Sequence, residues 1–194
     1  MKSVQPIALT SASGVAIIPV AVEHAAMLAA LVLQDREHLA AYLPMLASLS
    51  TVDAAAAHLE RAVVHAAEGE VCEWHLFDEG SLCGAVRVKD IDHADRKAGI
   101  GYFLGSQHTG KGIVSSALRV VLGWCFDTLG LNRIELRCAT SNAPSIRVAE
   151  RLGFVREGLL RQDECLHGAF VDHYVYGLLH AEFRRQTADG CSRM

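Results

Sequence analysis

Residues 101–113 read Gly-Tyr-Phe-Leu-Gly-Ser-Gln-His-Thr-Gly-Lys-Gly-Ile. A strand-like stretch runs into a loop with two close glycines, Gly110 and Gly112, and an amphipathic helix opens at once. Glycines let backbone N–H groups converge with no Cβ in the way. Those groups, together with the positive end of the helix dipole, form an anion site. The pattern is neither GxxxxGK[ST] nor GxGxxG, so it is not a nucleotide P-loop or a dinucleotide fingerprint. A second polar cluster covers 138–154. There Asn142 or Ser141 caps a helix, Pro144 fits its first turn and Gly153 ends it. A third cluster runs from Gln162 to Tyr174. Its His167, Asp172 and His173 invite a triad or metal reading, but no nucleophile motif stands beside them.

The elements that must position these clusters follow from periodicity. Residues 1–14 read as a loose leader. Val15 to Val20 is a strand, and Glu23 to Leu33 a helix with Met27, Leu28, Leu31 and Val32 on its apolar face. Gln34 to Leu43 is a short helix stopped by Pro44. Thr51 caps a helix over Val52 to Ala67, which Gly69 ends. The period then changes. Val71 to Phe77 and Leu82 to Asp90 are strands joined by the turn Asp78-Glu79-Gly80-Ser81. Ala98 to Leu104 is a strand and Ile113 to Leu129 a helix with one apolar stripe. Ile134 to Cys138, Phe154 to Leu160 and His173 to Leu178 are further strands, with a short helix over Ser145 to Leu152. This order predicts an α+β domain with one central sheet over 15–180. Residues 181–194 read as a polar tail.

At 194 residues the chain is long enough for one domain with its own core. Its net charge is −4 and no Lys/Arg cluster is longer than two residues, which argues against a nucleic-acid partner. No apolar stretch is long enough to span a membrane, and no signal peptide opens the chain. The six cysteines lack CxxC or zinc spacing and read as reduced thiols of a cytoplasmic protein. No HxxxH or HExxH occurs among the ten histidines, so no metal is expected.

Gln107-x-x-Gly110-x-Gly112 resembles the Q/R-x-x-G-x-G/A signature of the GCN5-related N-acetyltransferases (GNAT). The resemblance covers about residues 15–180 and is strongest from Gly101 to Leu178. It implies the GNAT fold: a mixed, mostly antiparallel sheet flanked by helices. Acetyl-CoA would lie in a V-shaped split between Ala98–Leu104 and Ile134–Cys138. It implies that Gln107, His108, Thr109, Gly110, Lys111, Gly112 and Ile113 grip the pyrophosphate of coenzyme A, with Phe103 and Leu104 at the strand end. Asn142-x-x-Ser145, followed by Leu152-Gly153-Phe154, looks like the segment whose Asn contacts the pantetheine arm. The segment 162–174 is similar to that of the RimJ/RimL group, bacterial enzymes that acetylate the N-termini of ribosomal proteins. By that resemblance Glu164 is the general base and Ser145 the acid that protonates the leaving thiolate. His38 and Tyr42 would line the acceptor groove. A homodimer is common in that group, although no feature of the sequence demands one.

The chemistry needs a neutral amine. An α-amino group has a reference pKa of about 7.7–8.0 and a Lys side chain about 10.4, so an N-terminal acceptor needs only weak base assistance. A backbone N–H near Phe103 and Leu104 would polarise the thioester carbonyl as it gains negative charge. By the resemblance to the RimJ/RimL group, a protein N-terminus is the expected acceptor. The alternatives are a small amine (antibiotic, polyamine or aminoacyl compound) and a non-catalytic acyl-CoA-binding module on the same fold.

Overall fold

The computed structural model describes residues 5–191. Its strands are β1 (Leu9–Thr10), β2 (Ala16–Pro19), β3 (Cys72–Asp78), β4 (Ser81–Asp92), β5 (Lys97–Leu104), β6 (Arg133–Ala139), β7 (Val155–Leu166) and β8 (Ala169–Leu179). They form a sheet in the order β1-β2-β3-β4-β5-β6-β8-β7. The helices are α1 (Ala25–Gln34), α2 (Arg36–Ala40), α3 (Val52–Glu68), α4 (Ile113–Asp127), α5 (Ala143–Arg151) and α6 (His180–Cys191).

Alternation along the strands explains the layers. On β3, Cys72, Trp74 and Leu76 join the core that also contains the apolar stripe of α4. The opposite face is covered by a second cluster from α1, α2 and α3, including Leu28, Val32, Leu39 and Leu59. Thr51 caps α3 by accepting from the Ala54 amide (3.3 Å), and Gly69 ends it at φ 78°. Both ends of this helix are where the sequence puts them.

All strand pairs are antiparallel except one. The strands β5 and β6 run parallel and pair only at Lys97↔Arg133, Ala98↔Ile134 and Gly99↔Glu135. Beyond Gly99 the two strands diverge while β5 continues to Leu104 and β6 to Ala139. This is the split the resemblance implied.

Three regions differ from the sequence reading. Within the expected leader, Leu9–Thr10 pairs with β2, while residues 1–4 lie outside the described residues. The expected polar tail continues as α6 as far as Cys191, anchored by Phe183, which is buried against Phe126 at a centroid distance of 5.2 Å. Residues 161–172, expected to be a loop, extend β7 and β8 into one long hairpin. Its turn is His167-Gly168, both at positive φ (53° and 82°), as a two-residue hairpin turn requires. Cys72, Cys83, Cys125 and Cys138 are buried free thiols, whereas Cys165 is exposed. No helix of the described residues is long and apolar enough to cross a membrane.

One buried group makes folding pH-dependent. His75 is fully buried beneath α3, with its Nδ1 3.0 Å from His24 Nδ1, and burial pushes its pKa down to about 4. In the unfolded chain a histidine takes up its proton near pH 6.5. His75 therefore contributes stability above that pH and loses it as pH falls toward 4. Denaturant melts between pH 7 and 4 should give a shallower loss of stability for His75→Leu than for the native chain.

Candidate active site

The site starts where β5 outruns β6. Past Gly99 the β6-facing peptide groups of β5 have no strand partner, so backbone donors and acceptors are available to a ligand. Alternation sends Tyr102 and Leu104 to the α4 side, whereas Phe103 packs with the second core. Tyr102 is the side chain at the base of the split. Its hydroxyl lies 2.8 Å from Ser145 Oγ, and burial raises its pKa to about 12, so it stays a neutral phenol.

Ser145 is set by the start of α5. Asn142 Oδ1 accepts from the Ser145 amide (3.1 Å), and Pro144 occupies the first turn. This cap sets Ser145 beside Tyr102, and Asn142 and Ser145 both line the split.

The anion site expected from the sequence falls at the N-terminus of α4. Gly110 and Gly112 both have positive φ (75° and 77°). A Cβ at either would meet nothing within 4 Å, so backbone conformation, and not space, demands glycine there. Gly112 is the N-cap, and no side chain caps this helix. Its first amides are therefore open to an anion. The approaching loop is tied down by Asp35. One carboxylate oxygen accepts from the Ser106 amide (2.6 Å) and the other from its hydroxyl (2.7 Å). Gly105 is required for this contact: a Cβ there would lie 2.9 Å from both Asp35 Oδ2 and Leu31 Cδ1.

Two cavities meet at this point. One, of about 540 Å³, lies beside the start of α4 and is lined by Phe103, Leu104, His108, Thr109, Gly110, Gly112 and Ile113. The other, of about 970 Å³, opens on the far side of the split and includes Glu135, Cys138, Asp163, Glu164 and His173. Tyr42, Leu43, Tyr102, Asn142 and Ser145 line both. Of the residues named from the sequence, Glu164 and Ser145 thus share one cavity, and Tyr42 borders both. His38 lines the smaller cavity and donates from Nε2 to the Leu104 carbonyl (3.2 Å). Gln107 and Lys111 are exposed and line neither.

The short helix α2 bridges the two sides. Besides the His38 contact, the Tyr42 hydroxyl donates to the Ser141 carbonyl (3.1 Å). The Ala40 carbonyl accepts from His167 Nε2 at the tip of the β7–β8 hairpin (2.9 Å).

The family model for the acetyltransferase (GNAT) domain matches residues 15–155. The chain belongs to the GNAT acetyltransferase family. It is 38% identical over 108 residues to a putative ribosomal N-acetyltransferase, YdaF, of Bacillus subtilis, covering 56% of this chain and 59% of that protein. It is 36% identical over 101 residues to the ribosomal-protein-serine acetyltransferase of Escherichia coli, covering 52% and 56%. The match therefore spans less than two thirds of these curated relatives. Mycobacterium smegmatis RimJ, solved in complex with CoA-disulfide, superposes with a TM-score of 0.86 at 29% identity, over 94% of this chain and 93% of that one.

Within this GNAT frame, sequence reasoning missed Tyr102, Asp35 and the setting of His173. Tyr102 had a signal, since it stands two residues before Leu104 and alternation puts both on one face. Asp35 had none, because it meets Ser106 across 71 positions. Removing its charge-assisted hydrogen bonds frees the loop before α4. Asp35→Ala should lower stability by roughly 2 kcal/mol and speed amide exchange at Ser106, measured by denaturant melts and hydrogen exchange.

Proposed function

We propose that this chain is an acetyl-CoA-dependent N-acetyltransferase whose acceptor is the α-amine of a protein N-terminus. The observation that carries the reading is the shared boundary of the two cavities. A donor arm and an acceptor entering from opposite sides of the sheet would meet at Tyr102 and Ser145.

Acetyl-CoA, which supplies the activated acetyl group, fits the residues present. The open amides at the start of α4 suit its pyrophosphate. The Asn142 side-chain amide, whose Oδ1 is engaged in the cap, offers its N–H donors to the amide carbonyls of its arm. Ser145 would donate its proton to the departing thiolate. For that role its own hydroxyl hydrogen must be available, which requires the Tyr102 hydroxyl to be the donor of their 2.8 Å pair. Glu164, half exposed on the acceptor side, would accept the amine's proton. The C–N bond forms, the C–S bond breaks, and each proton has a stated carrier. Most of the acceleration comes from holding amine and thioester together in the split.

Proton affinity favours an α-amine. At pH 7 roughly one α-amine in seven is neutral, against fewer than about one Lys side chain in two thousand, from the reference values. A half-exposed carboxylate is a weak base and suits the first of these. The ribosomal-protein names of the two curated relatives point the same way.

Free-thiol release from acetyl-CoA, measured against peptides with free and blocked N-termini and a panel of small amines, tests this. Release is expected with free α-amines and lost on blocking; release with small amines alone would move the function to metabolite modification. Glu164→Gln and Ser145→Ala should each lower kcat by about 100-fold or more. Full turnover by both would overturn the assigned roles while leaving the family membership intact.

A further inference from the structure

We propose that His173 receives the acceptor's proton from Glu164, so that Glu164, His173 and Asp163 act together as a proton relay. The proposal rests on the reading of Glu164 as first proton acceptor.

Among the described residues, His173 is one of four buried polar or charged side chains, at 8% exposure. Its Nε2 lies 3.3 Å from Glu164 Oε2 and its Nδ1 3.5 Å from Asp163 Oδ2. Nδ1 is buried without a hydrogen bond and faces the Asp163 carboxylate. All three residues line the acceptor cavity.

Consecutive residues of a regular strand point to opposite faces. Asp163 and Glu164 nevertheless reach the same imidazole. The hairpin allows it through an irregularity: Leu160 pairs with His173 and Glu164 with Val171, so β7 carries two more residues than β8 between these pairs. Gln162 there adopts φ 53°, and its amide is held by Asp172 Oδ1 at 2.8 Å. A non-glycine residue in this conformation costs free energy and is kept where the surroundings impose it.

The relay supplies what a lone carboxylate lacks. A free glutamate is about 3.5 pK units less basic than an α-amine, while imidazole is only about 1.3 units less so. The amine's N–H bond breaks and an O–H bond forms at Glu164. That O–H bond breaks in turn and an N–H bond forms at His173 Nε2, turning imidazole into imidazolium opposite the Asp163 carboxylate. The proton then leaves to water through the open cavity. Neutral His173 must carry its hydrogen on Nδ1, which is the side Asp163 faces. The other ionised groups around it are paired with one another: Arg137 with Glu135 (2.8 Å) and Arg133 with Glu157 (2.6 Å) on β6 and β7, and Lys97 with Asp95 (2.6 Å) on β5. On β4, Lys89 stands 4.0 Å from Asp90. Asp172 is held by Gln162.

The test is kcat against pH, with a free-amine peptide, for His173→Gln, Asp163→Asn and Glu164→Gln. His173→Gln should lose about tenfold or more near pH 6. The deficit should narrow to about threefold near pH 9, where the amine is mostly neutral. KM for acetyl-CoA should be unchanged. Asp163→Asn should move the same way by a smaller factor, and it decides the matter if His173→Gln does not fold. A deficit equal at every pH, or a raised KM for acetyl-CoA, would assign His173 a structural role and overturn the relay. Native profiles for both variants beside a crippled Glu164→Gln would overturn the relay alone. Full turnover by Glu164→Gln would overturn the underlying reading of Glu164.

Discussion

Everything in the site depends on a parallel pairing that stops after three residues. Had β5 and β6 continued in register past Gly99 and Glu135, their peptide groups would have satisfied one another and closed the sheet. Instead each strand runs on alone, and a ligand can take the place of the missing partner. The sheet tolerates this because both diverging strands are secured on their outer sides. One is held by β4 as far as Leu104, the other by β8 as far as Ala139. Helices on both faces bury the remaining apolar surface, which is the dominant stabilising term. The split is thus held open by a core that does not need it closed.

The short helix α2 makes the opening a defined space. Two of its contacts, the Tyr42 contact just after it and the preceding Asp35 reach four places: the loop before α4, the end of β5, the loop before α5 and the hairpin tip. Each is a modest interaction of about 1 kcal/mol or less in net terms, somewhat more for the charged Asp35. Together they fix the donor side and the acceptor side relative to one another. Proximity catalysis needs this, because reactants held loosely by about an ångström lose much of the advantage.

The fold was largely legible because its elements are amphipathic and well punctuated. Thr51 and Gly69 mark α3, and Glu79-Gly80 marks the β3–β4 turn through the same positive-φ pair that His167-Gly168 supplies for β7–β8. The second turn was passed over because the strands around it lack the usual alternation. Most of β7 is exposed on both faces, so no apolar period announces it. The tail was read as polar because Phe183 is a single apolar anchor, too sparse to form a stripe. Asp35 and the His173 contacts arise from long-range packing or a strand irregularity, and neither leaves a local pattern.

This asymmetry has a physical origin that bears on function. The proposed donor side is built from backbone: open amides, two glycines whose φ is required, and a helix end. Backbone sites restrict residue type tightly, so they leave a readable motif. The acceptor side is built from side chains carried by β4, β5, β6, β7 and β8, whose identities can change without disturbing the sheet. A protein of this architecture can keep one donor site while its acceptor wall is rebuilt. On the proposed reading, substrate preference is written in the side chains around Glu164 and His173, where it must be read from their arrangement in space.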